Sequence, residues 1–197
     1  MYKNKCNINI DIDRYLNTEK AYLIFRGTKT KEGMVSKSYN LVDSNASHVG
    51  FLLFENKSWN VHHIVENSLQ TSALISNSLD EYIDSSLKVE YVALSELNLN
   101  NDCLRYQIHN LSQEIIEFDW EFSLENERNK LYCSEFIVKI LNHCYCNIQI
   151  KSIKVKLSPL HSTFIGKDSL DYYPVDVLIV NENTKFLKEW YLNCQPE

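Results

Sequence analysis

Glycine and proline are scarce in this chain, four and three residues of 197, and no stretch is low in complexity. A flexible linker, a proline-rich spacer and a disordered tail therefore have no compositional support. Basic charge is short as well, with a formal net charge of -6 and a pI near 5.5. Phosphate backbones and anionic membrane surfaces select clustered Lys and Arg, so no nucleic-acid partner is expected. The most basic stretch, Lys151 to Lys156, alternates with apolar residues as a strand with one solvated face does. No run approaches the roughly 18 apolar residues that cross a bilayer, so no transmembrane segment is expected. Met1 to Cys6 lacks an apolar core and a small-residue cleavage site, and neither a signal peptide nor a lipoprotein cysteine is read there.

Cys-x-x-Cys pairs are also missing, although there are six cysteines. Structural zinc sites usually need such pairs, so the cluster His143, Cys144 and Cys146 reads as ordinary helix-end residues, with no metal and no cofactor expected. A chain that is 44% hydrophobic can bury a core without disulfide staples. The expectation is one domain over residues 1–197, in a reducing, cytoplasmic setting.

Apolar patterning gives the elements. Ala21 to Arg26 is a short apolar run closed by Gly27, which predicts a buried strand. The loop from Thr28 to Asn45 is long enough to border a cleft. Val49 to Phe54 and Trp59 to Val65, separated by Glu55-Asn56-Lys57-Ser58, predict a hairpin. His48 opens its first strand, and His62 and His63 lie on its second, necessarily on opposite faces. A short helix is expected from Ser78 and Asp80, a strand from Leu87 to Leu94, and a helix from Asn101 to Glu117, where Leu104, Ile108, Leu111 and Ile115 recur at helical spacing. Phe118 to Lys130 reads as a loop. Phe136, Ile137, Ile140 and Leu141 place a helix over Cys133 to His143. Ile148 to Leu157 and Tyr173 to Val180 read as core strands, and the class is α+β.

Cys133 stands where chemistry is possible. The first turn of a helix offers backbone N–H groups and the positive end of the helix dipole, both of which favour a thiolate. A cysteine nucleophile also needs a base, a group that orients the base, and oxyanion donors. His48 can be the base, a histidine of the second hairpin strand the orienter, and the Cys133 backbone N–H one oxyanion donor. Glu135 in the same helical turn reads as a dipole-matched structural residue, Tyr132 as an aromatic plug, and Arg26 and His161 as solvated surface residues.

Ser47-His48-Val49-Gly50-Phe51 together with Tyr132-Cys133-Ser134-Glu135-Phe136 resembles the paired signatures of the permuted NlpC-type, papain-like hydrolases, the YiiX/YebB-like group. In that group the histidine strand precedes the cysteine helix, as here. Leu23-Ile24-Phe25-Arg26, Trp59-Asn60-Val61-His62-His63 and Phe118-Asp119-Trp120-Glu121-Phe122 extend the similarity from about Ala21 to Asn142. The resemblance implies a circularly permuted papain-like fold, with an antiparallel sheet packed against helices. It implies Cys133 as nucleophile, His48 as base, and His63 as the third polar member, with His62 second and Glu66 a more distant third. An imidazolium–thiolate pair is the expected charge state. The implied activity is hydrolysis of an amide or isopeptide bond of a peptide or peptidoglycan-type substrate; lipid or thioester acyl chemistry and a silent binding module are the alternatives.

Overall fold

The computed structural model describes residues 10–66, 72–84, 88–99, 101–122, 124, 129–145, 150–179, 181 and 184–192. Its centre is a six-stranded antiparallel sheet. In chain order the strands are β1 (Ala21–Thr28), β2 (His48–Glu55), β3 (Ser58–Ile64), β4 (Leu74–Ser78), β5 (Val89–Leu97) and, after several helices, β10 (Thr184–Tyr191), arranged β10-β5-β1-β2-β3-β4. β1 and β2 are central and covered on both faces, which is why Tyr22 to Phe25 and Phe51 to Leu53 are continuously apolar rather than alternating. One face carries Leu23, Phe25, Val49 and Phe51 against helices; the other carries Tyr22, Ile24, Leu52, Val61, Tyr82 and Leu94.

The hairpin between β2 and β3 turns at Asn56 and Lys57, both at positive φ (51° and 66°). Two left-handed residues give the turn whose twist matches paired strands. The pairing Phe51↔His62 fixes the register, so His63 lies level with Gly50. A Cβ at Gly50 would meet Val61 Cγ1 at 2.6 Å and His63 Cβ at 3.1 Å. Only glycine lets β3 lie this close.

Helix α1 (Lys31–Ser38) falls inside the expected Thr28–Asn45 loop, capped by Thr30. It lacks an apolar stripe, so periodicity could not reveal it. Helix α2 (Leu79–Tyr82) is the short helix expected at Ser78, closed by a reciprocal Ser78–Glu81 capping box. Helix α3 (Asn101–Ser112) stops before Gln113, short of the expected Glu117. Glu117–Phe118 (β6) instead pairs with Lys130–Leu131 (β7). Helix α4 (Cys133–Cys144) packs on β2, with Phe136 edge-on to Phe51 at 5.6 Å.

Beyond α4 come β8 (Ile153–Lys156), α5 (Pro159–Ile165) and β9 (Ser169–Tyr172), which pairs with β8. Of the expected Ile148–Leu157 strand, residues 148 and 149 lie outside the described residues. The expected strand from Tyr173 to Val180 is a 3-10 helix at Val175–Leu178, introduced by Pro174, and residue 180 lies outside the described residues. The Asp176 carboxylate accepts from the backbone N–H groups of Leu41, Val42 and Asp43 at 2.8, 2.5 and 3.0 Å. These bonds tie this segment to the loop after α1.

Cys103 of α3 and Cys144 of α4 form a disulfide. This corrects the expectation that the chain does without disulfides and the reading of Cys144 as an ordinary helix-end residue. The helical phase that buries Leu104 and Leu141 brings two helix-borne cysteines together, which composition alone does not show. Closing a loop of 41 residues stabilises by about 2–4 kcal/mol. Reduction, or Cys103→Ser, is therefore expected to lower Tm by roughly 5–10 °C, read by thermal unfolding with and without reductant. An unchanged Tm contradicts it.

Candidate active site

Cys133 begins α4, with Tyr132 as an extended N-cap whose own side chain makes no cap hydrogen bond. Its thiol is buried and is the free cysteine among the described residues. The backbone N–H groups of Val49, Ser134 and Cys133 itself favour its ionised form, as does the charge of Arg26, yet burial outweighs them and pushes the thiol up to about 11. The Val49 N–H belongs to the residue after His48, so the start of α4 abuts the start of β2.

His48 opens β2 and its ring packs beside Tyr82 and His63, at centroid distances of 5.9 and 5.0 Å. His48 Nε2 and His63 Nδ1 are 2.8 Å apart, and His63 Nε2 is 2.8 Å from Asn77 Oδ1 on β4. His63 is 1% exposed. Alternation sends His62 to the other face, where it meets Glu55 at 2.9 Å. The structure thus joins His48 to His63 and separates His62 from both; Glu66 makes no hydrogen bond to either histidine. No hydrogen bond joins Cys133 to His48 among the described residues. The thiol nears β2 from the α4 face, while the imidazole leaves on the Tyr82 face.

Arg26 is not the solvated residue expected from sequence. Its guanidinium is half-buried, lies 4.4 Å over the Tyr82 ring and donates through Nη1 to the Tyr82 carbonyl at 2.7 Å. Position 26 continues the inward phase of Tyr22 and Ile24, and an arginine at a strand end disguised it. Burial, followed by the Arg26 charge, lowers His48 well below its ordinary range; the same two causes lower His63 to about 3. Both histidines are neutral near pH 7 and the thiol is protonated. This replaces the expected imidazolium–thiolate pair: the position at a helix start was legible, but not how dry the surroundings are.

The thiol borders a small, partly open apolar hollow lined by Tyr39, Phe122, Tyr132, Leu170, Tyr172 and Tyr173 among others. Tyr132 donates no cap to α4; its hydroxyl accepts from the Tyr173 N–H at 2.8 Å. The Tyr172 hydroxyl donates to the Tyr39 carbonyl, and Tyr39 Oη lies 2.5 Å from His161 Nδ1. His161 therefore braces the hollow's wall. Burial and then Asp119 raise the Glu135 carboxyl to about 7.

A helix opening on a buried free cysteine and laid on an antiparallel sheet, with the histidine strand earlier in the chain, matches the permuted papain-like architecture. The chain belongs to the family of permuted papain-like amidase enzymes, YaeF/YiiX, C92, which matches residues 19–162. A search of curated proteins gave no match. Among solved structures, the metalloprotein yiiX from Escherichia coli O157:H7 is similar, with a TM-score of 0.66 and 13% identity, covering 89% of this chain and 99% of that one. That likeness concerns the fold. Among the described residues no three His, Cys, Asp or Glu side chains gather as metal ligands. Both His63 nitrogens and the His62 Nε2 are already engaged, so the residues present do not fit a metal. No described helix is long and apolar enough to cross a membrane.

Proposed function

We propose that this enzyme hydrolyses an amide bond through an acyl-enzyme on Cys133, as one domain with His48 as base and His63 as its orienter. The observation that carries this is the His48–His63 hydrogen bond at the strand start against which the Cys133 helix abuts. The thiol proton passes to His48 as sulfur attacks the carbonyl carbon. The resulting oxyanion is met by the Cys133 backbone N–H at the start of α4. His48 then gives its proton to the departing amine as the C–N bond breaks, and water, deprotonated by the same imidazole, cleaves the thioester. Catalytic hydrogen bonds often tighten only around substrate, and the Cys133–His48 bond is expected to form in that way.

A second reading is favoured by the hollow, whose aromatic and aliphatic walls suit a lipid or thioester acyl group better than a polar peptide. A series of p-nitroanilides tests both, with N-terminally acylated peptides on one arm and straight-chain acyl groups of increasing length on the other. Rates climbing with acyl length favour the acyl reading; rates set by the peptide and indifferent to chain length favour the peptide amide. Absence of turnover on both arms, with Cys133 unlabelled by thiol-directed acylating probes, contradicts the hydrolase site.

A further inference from the structure

The two histidines that touch cannot both be read without knowing where their protons sit, and the residue that settles this is at the far end of the chain of bonds. Asn77 is on β4, diagonal to His63 across the pair Val61↔Asn77 and His63↔Ile75. Its side chain has one accepting end and one donating end. Close by, the Glu81 carboxylate is held low chiefly by the Ser78 backbone and side chain, with a smaller contribution from Asn77. That carboxylate is itself held by the Ser78 N–H and hydroxyl at 2.8 and 3.0 Å, inside the capping box of α2.

The accepting Oδ1 of Asn77 faces His63 Nε2, 2.8 Å away. Nε2 of His63 must carry hydrogen to make that bond. In a neutral imidazole the other nitrogen then has the lone pair, so His63 Nδ1 accepts from His48 Nε2–H across 2.8 Å. The proton order runs one way from Asn77 to His48. We propose that Asn77 is a positioning residue that fixes the tautomers of both histidines, making Nδ1 of His48 the atom that takes the Cys133 proton. This rests on the cysteine hydrolase reading only for its last step.

Turning the Asn77 amide over would reverse every bond. His63 Nε2 would accept, His63 Nδ1–H would donate, and His48 would carry hydrogen on Nδ1 with no lone pair there. Asn77 thus acts on catalysis through His63 and His48, without touching substrate. Its neighbour Gly50 serves the same end, since the close approach it permits keeps the His63 backbone beside β2.

The test is the tautomeric state of His48 and His63 in the full chain labelled with ¹⁵N-histidine, read from two-bond proton–nitrogen couplings and assigned with a His62→Gln variant. Both rings are expected to carry hydrogen on Nε2. In Asn77→Ala the His63 ring should become a mixture of tautomers, and kcat should fall on the order of 100-fold, the scale of a general base, with KM nearly unchanged. Asn77→Asp keeps an acceptor for His63 and should restore the Nε2–H tautomer and most of kcat. Hydrogen on Nδ1 of His48 in the wild type overturns the proposal, as does Asn77→Ala with unchanged tautomers. If Asn77→Ala does not fold, the wild-type tautomers decide alone. Because they are read without substrate, a hydrolase reading that fails on Cys133→Ala leaves the tautomer result standing.

Discussion

Cys133→Ala is expected to remove turnover by on the order of 10⁵-fold, the scale seen when a nucleophile that acts as a unit with its base is deleted. The fold should persist, because the thiol is a small buried group on a helix whose packing rests on Phe136, Ile137, Ile140 and Leu141; the substitution costs about 1 kcal/mol. The wild-type pH profile follows from the charge state of the site. His48 is lowered well below its ordinary value and the thiol is raised to about 11, so neutral thiol and neutral imidazole, the proposed starting state, are populated together across neutral and mildly alkaline pH. Turnover should rise from acid to a broad plateau. A narrow bell centred near neutrality would instead indicate an ion pair in the resting enzyme.

The second large effect is loss of stability in acid. His63 is lowered to about 3 and His48 in the same direction, chiefly by burial and then by Arg26. Free histidine takes up its proton near pH 6.5, so below that value the unfolded chain binds protons that the folded protein refuses. The stabilisation is complete above about pH 6.5 and is lost as pH falls toward 3, when folded His63 is protonated too. A shift of that size corresponds to on the order of 5 kcal/mol for His63 at full extent. Urea unfolding at pH 7 and pH 4.5 should show a large drop that His63→Gln reduces. Equal slopes in wild type and variant would mean that His63 titrates normally.

Much of this was legible in particular residues. Continuous apolar runs at Tyr22–Phe25 and Phe51–Leu53 marked strands covered on both faces, and Asn56-Lys57 marked the hairpin turn. Alternation alone required His62 and His63 to diverge; the resemblance put His63 ahead of His62, and the hairpin register seen in the structure places His63 on the His48 face. Other parts depend on contacts that no local pattern carries. β4 is a short, polar edge strand, so Asn77 gave no sign of reaching His63. Lys185, Lys188 and Glu189 break the apolar pattern of β10, an edge strand whose pairing with β5 shifts register between Phe186 and Lys188. Arg26 was misread because a charged residue at a strand end is ordinarily solvated; here the Tyr82 ring and carbonyl replace water. The disulfide needed the relative rotation of α3 and α4. The reactivity of Cys133 needed both the helix start, which was visible, and the surrounding burial, which was not.

The most direct measurement is capture of the acyl-enzyme. The full chain is mixed with a p-nitroanilide substrate from the series above, quenched in acid within the first turnover, and analysed by intact and peptide mass spectrometry. A hydroxylamine-labile adduct of the acyl mass should appear on the peptide containing Cys133, be absent from Cys133→Ala, and form far more slowly in His48→Ala. Release of p-nitroaniline with no adduct on Cys133, or an adduct that forms equally fast without His48, would contradict the assignment of nucleophile and base.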